Sequence, residues 1–406
     1  MRLKDNSKRD LFHSFEHRFA LGDGVHLAVA VSGGGDSIAL LSLLSEWSVM
    51  SGIRLSAVTV DHGIRPEAQQ EHAIAAATSQ RLSIDHTLLH WNPTKRGNLQ
   101  DQARRARYRL IADWAKSNGI PSVALAHTAD DQAETVLMNL ARGSGVDGLS
   151  AMPMELERHD TLWLRPLLRT RRKSLRAYLC KRGLAWADDP SNENLNFDRA
   201  KFRQLLGQSS KLGLSTNRLV ATSARMQEAR KVLEQAANHA ARTCAVRTSL
   251  GEVLFNDQFW QFPLDTRMRL AADALRAVSG REYRPRYTSL MNALERVQRF
   301  TTTISGCILT PMSAGGFLVM REFAACGPPV DALEVWDGRW RLQKSDPPSG
   351  CVIAGLGSAG RDRFMSTPAL WLDGELWASP FAGIRTEWIF EYCNHGPCWG
   401  RFSQAS

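Results

Sequence analysis

A short apolar run, Leu27-Ala28-Val29-Ala30-Val31, breaks into Ser32-Gly33-Gly34-Gly35-Asp36-Ser37 and resumes as a helical face through Ile38, Leu40, Leu41, Leu43 and Leu44. A buried strand, a glycine turn and a helix in that order form the opening unit of a parallel sheet covered by helices. The alternation continues. Strands are expected at Leu55 to Val60, Ile84 to Leu89 and Ser122 to Ala126, with helices at Glu67 to Arg81, Leu99 to Lys116 and Asp131 to Arg142. Such spacing predicts an α/β fold with a doubly wound parallel sheet.

The pattern changes after Met152. A last strand is expected at Leu164 to Leu168, a helix at Lys173 to Arg182, a turn-rich break at Asp188-Asp189-Pro190-Ser191-Asn192, and a long helix from Leu219 to Arg247. A smaller α+β unit follows from Val253, with helices at Arg267 to Val278 and Tyr287 to Arg299 and β structure from Thr303 to Arg321; the tail from Val330 reads as weak β. The expected domains are 1–215, a linking helix over 216–250, an α+β domain over 251–328 and a small β-rich tail over 329–406.

Composition narrows the class. Apolar residues are 43% and charged residues 23% of the 406, a soluble globular mixture. No apolar run approaches the roughly 20 residues that cross a bilayer, and Met1 to Arg18 is too charged for a signal peptide's apolar core. The seven cysteines show no paired framework, which points to reduced thiols in a cytoplasm. Cys393 and Cys398, with His395 between them, fall short of the four ligands of a zinc site. The net charge of +10 is concentrated: residues 142 to 230 hold 17 Lys or Arg against 9 Asp or Glu, including Arg169, Arg171, Arg172, Lys173 and Arg176. A surplus so localised suggests a polyanionic partner.

The chemistry-bearing segments stand at expected strand ends. Glycines 33 to 35 let the backbone approach an anion and present its amides, with Ser32, Ser37 and the following helix N-terminus as further donors. Asp36 would repel a nucleotide there unless a divalent cation lies between. Asp61-His62-Gly63-Ile64-Arg65-Pro66 closes the second strand, where a turn with a capped helix is the bland alternative. Arg104, Arg107 and Tyr108 share a helix face that could grip phosphates or make surface salt bridges. In Ala126-His127-Thr128-Ala129-Asp130-Asp131-Gln132-Ala133-Glu134-Thr135, the carboxylates of Asp131 and Glu134 share the first turn of a helix. They could cap that helix, or receive an ammonium group or divalent ion.

The loop resembles the signature Ser-Gly-Gly-x-Asp-Ser of the PP-loop ATP pyrophosphatases. Joined to Asp61-His62-Gly63-Ile64-Arg65-Pro66, Ala129-Asp130-Asp131-Gln132-Ala133-Glu134-Thr135, Arg165-Pro166-Leu167 and Asp189-Pro190-Ser191-Asn192, it resembles the tRNA(Ile)-lysidine synthetase branch. The likeness is dense from Leu27 to Arg203 and only general beyond Val253. The family usually has Arg-Asn-x-x-Arg after the last block; here Arg199 and Arg203 remain, but position 200 is Ala.

The resemblance implies a cytoplasmic ligase, forming a carbon–nitrogen bond, that uses ATP and Mg²⁺ to join free lysine to carbon 2 of the wobble cytidine of an isoleucine tRNA with a CAU anticodon. It implies ATP phosphates on Ser32, Gly33, Gly34, Gly35, Asp36 and Ser37, with Asp36 as the metal ligand. Asp36, Arg107, Asp131 and Glu134 would be catalytic. Asp61, His62, Arg104, Arg107, His127, Asp130, Asp131, Glu134, Arg199 and Arg203 would contact substrates. Oligomeric state is left open, a homodimer among the options. A PP-loop thiolase is the nearest rival, but no Cys-x-x-Cys occurs and no cysteine precedes Cys180. A non-catalytic RNA-binding protein on the same fold need not retain Asp36, Asp131 and Glu134.

The charge surplus predicts that tRNA affinity falls steeply with salt, through counterion release. On the sequence alone, replacing Arg171, Arg172 and Lys173 together by Ala is expected to flatten that slope and leave ATP binding unchanged. An affinity indifferent to salt would contradict the polyanion reading.

Overall fold

The computed structural model describes residues 24–63, 68–92, 99–188, 198–209, 212–343, 346–360, 362–393 and 401–404. The chain divides into two compact units, 1–230 and 231–406. Ile64, Arg65, Pro66, Asn98, Asp189, Pro190, Ser191, Asn192, His395 and Cys398 lie outside the described residues.

The first unit runs β1 (His26–Ala30), α1 (Gly35–Ser51), β2 (Arg54–Asp61), α2 (Ala68–Arg81), β3 (Asp85–His90), α3 (Leu99–Ser117), β4 (Ser122–Ala124), α4 (Ala129–Ala141), β5 (Glu155–Arg158), β6 (Thr161–Leu164), α5 (Arg172–Arg182) and α6 (Asp198–Ser209). A longer helix, α7 (Thr216–Cys244), contains the boundary between the units. The sheet order is β3-β2-β1-β4-β6-β5. All pairs are parallel except the β5–β6 hairpin, so the expected doubly wound sheet is present.

Period-two alternation in β1 explains how both faces are covered. Leu27, Val29 and Val31 pack with Ile38, Leu41 and Trp47 of α1 and with Leu175 and Leu179 of α5. Ala28 and Ala30 face the other way, onto Tyr108, Ile111 and Ala115 of α3. The helices α1 and α5 are also tied by polar groups. The Tyr178 hydroxyl donates to Glu46 Oε1 at 2.6 Å and lies 2.8 Å from Ser42 Oγ, while Arg182 pairs with the same glutamate.

Two expectations need correction. Helix α1 begins at Gly35, ahead of the helical face expected from Ile38, with Gly34 as an N-cap lacking a side chain to bond the helix; Asp36 therefore lies inside the first turn. The segment from Leu164 to Leu168 is not a strand, because β6 ends at Leu164 and a turn follows. Pro166 has no N–H to give a ladder, and the buried Arg165 instead donates from Nη1 to Pro153 O at 2.8 Å.

In the second unit, a six-stranded sheet takes the order Ser403–Gln404, Ala245–Arg247, Val253–Phe255, Phe317–Arg321, Cys307–Pro311, Thr302–Ile304. Helices Leu264–Ser279 and Tyr287–Val297 share its core. The tail is better ordered than its sequence suggests. A four-stranded sheet and a strand pair, Trp340–Leu342 with Phe390–Tyr392, gather around buried Trp336, Trp340 and Trp388.

The loop after β1 is shaped by contact as well as by glycine. Gly33 has φ +79°, and a Cβ there would overlap the backbone carbonyl of Glu71 in α2. Gly34 has an ordinary φ of −71°, with Ser32 Oγ 3.5 Å from its notional Cβ. Gly33→Ala should therefore cost at least about 2 kcal/mol of unfolding free energy, and Gly34→Ala less than about 1 kcal/mol. Denaturant titration of the two variants checks this ordering.

Candidate active site

In an open α/β sheet the ligand crevice opens at the carboxyl ends of the strands, where the order reverses. Here that point lies between β1 and β4, neighbours in the sheet with Leu27 opposite Ser122. The loop 32–37 leaves one strand, and the segment from Ala126 to Glu134 leaves the other.

Within the loop, Ser37 acts as a knot. Its hydroxyl donates to Gly34 O at 2.8 Å and lies 3.2 Å from Ser32 Oγ, and the Ser32 amide donates to it at 3.1 Å. The Ser37 hydrogen thus closes the loop, whereas Ser32 remains exposed. Arg176 lies across Gly35, where a Cβ would strike its guanidinium, and pairs with Asp188 at 2.7 Å.

The acidic residues converge. Asp131 does both jobs open to it in the sequence. Its Oδ2 accepts from the Thr128 amide at 2.8 Å and the Thr128 hydroxyl at 2.7 Å, completing a capping box with the Asp131 amide. Its Oδ1 accepts from Arg172 Nη2 at 3.0 Å. The same guanidinium donates from Nε to Asp36 Oδ2 at 2.9 Å and stands 3.6 Å from Glu134 Oε1. Glu134, whose side chain is 1% exposed, also accepts from Arg203 Nε at 2.8 Å. Three carboxylates from α1 and α4 therefore share one arginine. Burial raises the Asp36 carboxyl above its ordinary range, with Arg172 opposing. Its Oδ1 is buried without a hydrogen-bond partner among the described residues. Asp131 is also penalised by burial, but Arg172, His127 and the Thr128 bonds hold it below the usual carboxylate range.

A cavity of about 170 Å³ is lined by His62, Arg104, Arg107, Tyr108, His127 and Trp163. His62 stands edge-on to Trp91 at 5.7 Å, and Tyr108 accepts from Arg165 Nη2 at 3.4 Å. Burial pulls the Arg107 guanidinium below its ordinary value, with Tyr108 opposing. Burial and then Arg165 push His127 down to about 3, so its imidazole is neutral at pH 7. Its Nδ1 is buried with no hydrogen-bond partner among the described residues.

Other expected residues stand outside these two groups. Asp61 accepts from the Gly63 amide at 2.8 Å and faces His90 at 3.6 Å, closing its own turn. Asp130 holds the start of α5: its Oδ2 accepts from the Arg172 amide at 2.7 Å, and its carboxylate pairs with Arg171 at 3.0 Å. Arg199 is exposed on α6, and its charge opposes protonation of His127.

The basic run needs correction. Arg171 and Arg172 are engaged by Asp130 and the three site carboxylates, so the triple substitution would disturb the site. Arg169 and Lys173 are exposed members that stand outside these ion pairs among the described residues, and the salt test belongs on them. Arg172 is the residue that sequence reasoning missed. A cation at a helix N-terminus opposes the macrodipole, and that conflict was the available signal of partners brought from elsewhere.

Residues 5–210 match the PP-loop domain family. The chain is 37% identical over 404 residues to the tRNA(Ile)-lysidine synthase of Ruegeria pomeroyi, covering 94% of this chain and 95% of that protein. It is 35% identical over 327 residues to the enzyme of that name from Wolbachia pipientis, covering 77% and 76% of the two. It is 32% identical over 328 residues to that of Anaplasma marginale, covering 78% and 70%. Among the described residues, no helix is long and apolar enough to cross a membrane.

The depressed His127 value carries a stability consequence. Above about pH 6.5 the ring is neutral in both states. Below it, the unfolded chain takes a proton that the folded chain refuses until about pH 3. Stability is thus lost as pH falls, by up to about 1.4 kcal/mol per pH unit. Urea unfolding at pH 6.5 and 5.0 should show this loss, and His127→Gln should abolish that share of it. A His127 imidazole resonance titrating near pH 6.5 in the folded protein would contradict the assignment.

Proposed function

We propose that this chain, which belongs to the tRNA(Ile)-lysidine synthase family, divides its ATP-dependent reaction between two parts of one rim. The acidic group handles cations and phosphates, and the basic cavity handles RNA. In the first step an α-phosphate of ATP bonds to the oxygen on carbon 2 of the wobble cytosine, and pyrophosphate leaves. In the second, the side-chain amine of free lysine bonds to that carbon, the carbon–oxygen bond breaks and AMP leaves. The attacking nitrogen sheds its protons to the medium.

The observation that carries this reading is the convergence of Asp36, from the phosphate loop, with Asp131 and Glu134, from the helix after the neighbouring strand. A loop of backbone amides receives phosphates, and carboxylates beside it receive positive charge. The buried Oδ1 of Asp36, without a hydrogen-bond partner among the described residues, fits a Mg²⁺ ligand; Asp36 would hold that ion, which would supply charge neutralisation to the leaving pyrophosphate. Asp131 and Glu134 receive the α-ammonium of lysine, which leaves its side-chain amine free to attack.

Arg104 and Arg107 hold the RNA backbone or the charge developing on the transferred group. Neutral His127 faces the base without adding a third charge. The target cytidine belongs to a loop, where unstacking it costs little. Arg199 and the exposed cations Arg169 and Lys173 extend the path of the RNA, and the α+β part of the second unit supplies a further tRNA surface. The CAU anticodon, the cytoplasmic setting and the oligomeric state belong to this reading as well.

The test supplies radiolabelled lysine, ATP and unmodified isoleucine tRNA, with other amino acids as controls. Lysine should enter RNA with equimolar AMP and pyrophosphate. Glu134→Gln should use lysine roughly ten- to hundred-fold less well, because a charge-assisted bond is worth about 1.5–3 kcal/mol, while the adenylated tRNA still forms. A variant that loses adenylation but keeps normal lysine dependence would move Glu134 to the ATP side of the site.

A further inference from the structure

We infer that Arg172 is a substrate-contacting residue that changes partners during the reaction. It rests on Asp36, Asp131 and Glu134 when no substrate is bound, and it turns to the phosphates of ATP when cationic groups take those carboxylates. The inference rests on the reading of the three carboxylates as receptors for Mg²⁺ and the lysine ammonium.

The first argument is charge. Three carboxylates share Arg172 at 2.9, 3.0 and 3.6 Å, and Arg203 adds a second cation at Glu134. The group is then short of neutrality by one positive charge. A divalent ion and an ammonium arriving together would carry it two charges past neutrality, and the departure of Arg172 removes one of them. The phosphate oxygens of ATP, arriving on the adjacent loop, form the anion that a departing guanidinium can grip in a fork.

The second argument is what the loop lacks. No lysine stands within or directly after Ser32 to Ser37, so a side-chain cation for the phosphates must come from another element. Helix α5 is in place to supply it: Arg172 already bonds Asp36 of α1, and Arg176, one turn on, lies across Gly35. The third argument is mechanical. The backbone of Arg172 is fixed by Asp130 and α5 is fixed to α1 through Tyr178, so the side chain can change partners without moving the helix. At 22% exposure it stands at the rim rather than sealed beneath it.

The result to expect is coupling between the two substrates, since the nucleotide draws off the cation that competes with lysine. Calorimetry would measure lysine binding to the full chain with and without saturating Mg²⁺ and α,β-methylene ATP, which cannot release pyrophosphate. In the wild type the nucleotide should tighten lysine binding roughly fivefold or more. Arg172→Gln should bind the nucleotide at least about tenfold more weakly and should hold lysine equally well whether or not nucleotide is present. Arg172→Lys, which keeps the charge without the fork, should retain part of the coupling, and thermal melts confirm that both variants fold.

Nucleotide affinity unchanged in Arg172→Gln, or coupling intact in it, would overturn the inference and leave Arg172 a structural tie. Wild-type chain that binds nucleotide but no lysine in either condition would instead overturn the reading of the carboxylates, and the inference with it.

Discussion

Carboxylates set side by side at the foot of a phosphate-binding loop repel one another and the ligand, and they persist only where positive charge is brought to them. In this chain that charge comes from Arg172, which the sheet order makes available. Because β6 lies beside β4, the helix that follows it starts at the same rim as the loop after β1. The position of α5 is therefore an electrostatic requirement of the site. The Tyr178–Glu46–Ser42 bonds and the Asp130 anchor are how that requirement is met.

Burial then sorts the ionisable groups into different states. Asp131 is held ionised by its cap and its arginine, whereas Asp36 is pushed toward its neutral form and has one oxygen unpartnered. His127 stays neutral among arginines. Groups of like chemistry are thereby given distinct tasks by environment alone, the usual way a single site supports both charge binding and neutral contacts.

Much of this arrangement was legible in the sequence. Leu27 to Val31 had to be a strand buried on both faces, and the glycines after it had to turn sharply, which fixes the place of the loop. His127 through Glu134 was readable for the same reason: it leaves a buried strand and enters a helix with acidic residues in the first turn. What escaped was set by contacts between distant segments. The start of α1 carried no side-chain cap to announce it, since Gly34 is the cap. Arg172 looked like part of a solvated basic run because its partners lie 136, 41 and 38 residues away along the chain. Asp130 looked like a ligand residue, although its bonds fasten a helix. The strands of the tail were faint because each is short and their order comes from clustered tryptophans.

The separation between Asp36 and Arg172 also sets an order of events in time. On a ribosome adding roughly 5–20 residues per second, the 136 residues between them take about 7 to 27 s to appear. The phosphate loop is therefore made long before its counter-charge exists, and β1 waits for β4 before its second edge is covered. During that interval Asp36 has water for company and no reason to be buried. Closure of the rim becomes one of the last events in the birth of this unit, so a nascent chain carries the loop without the site.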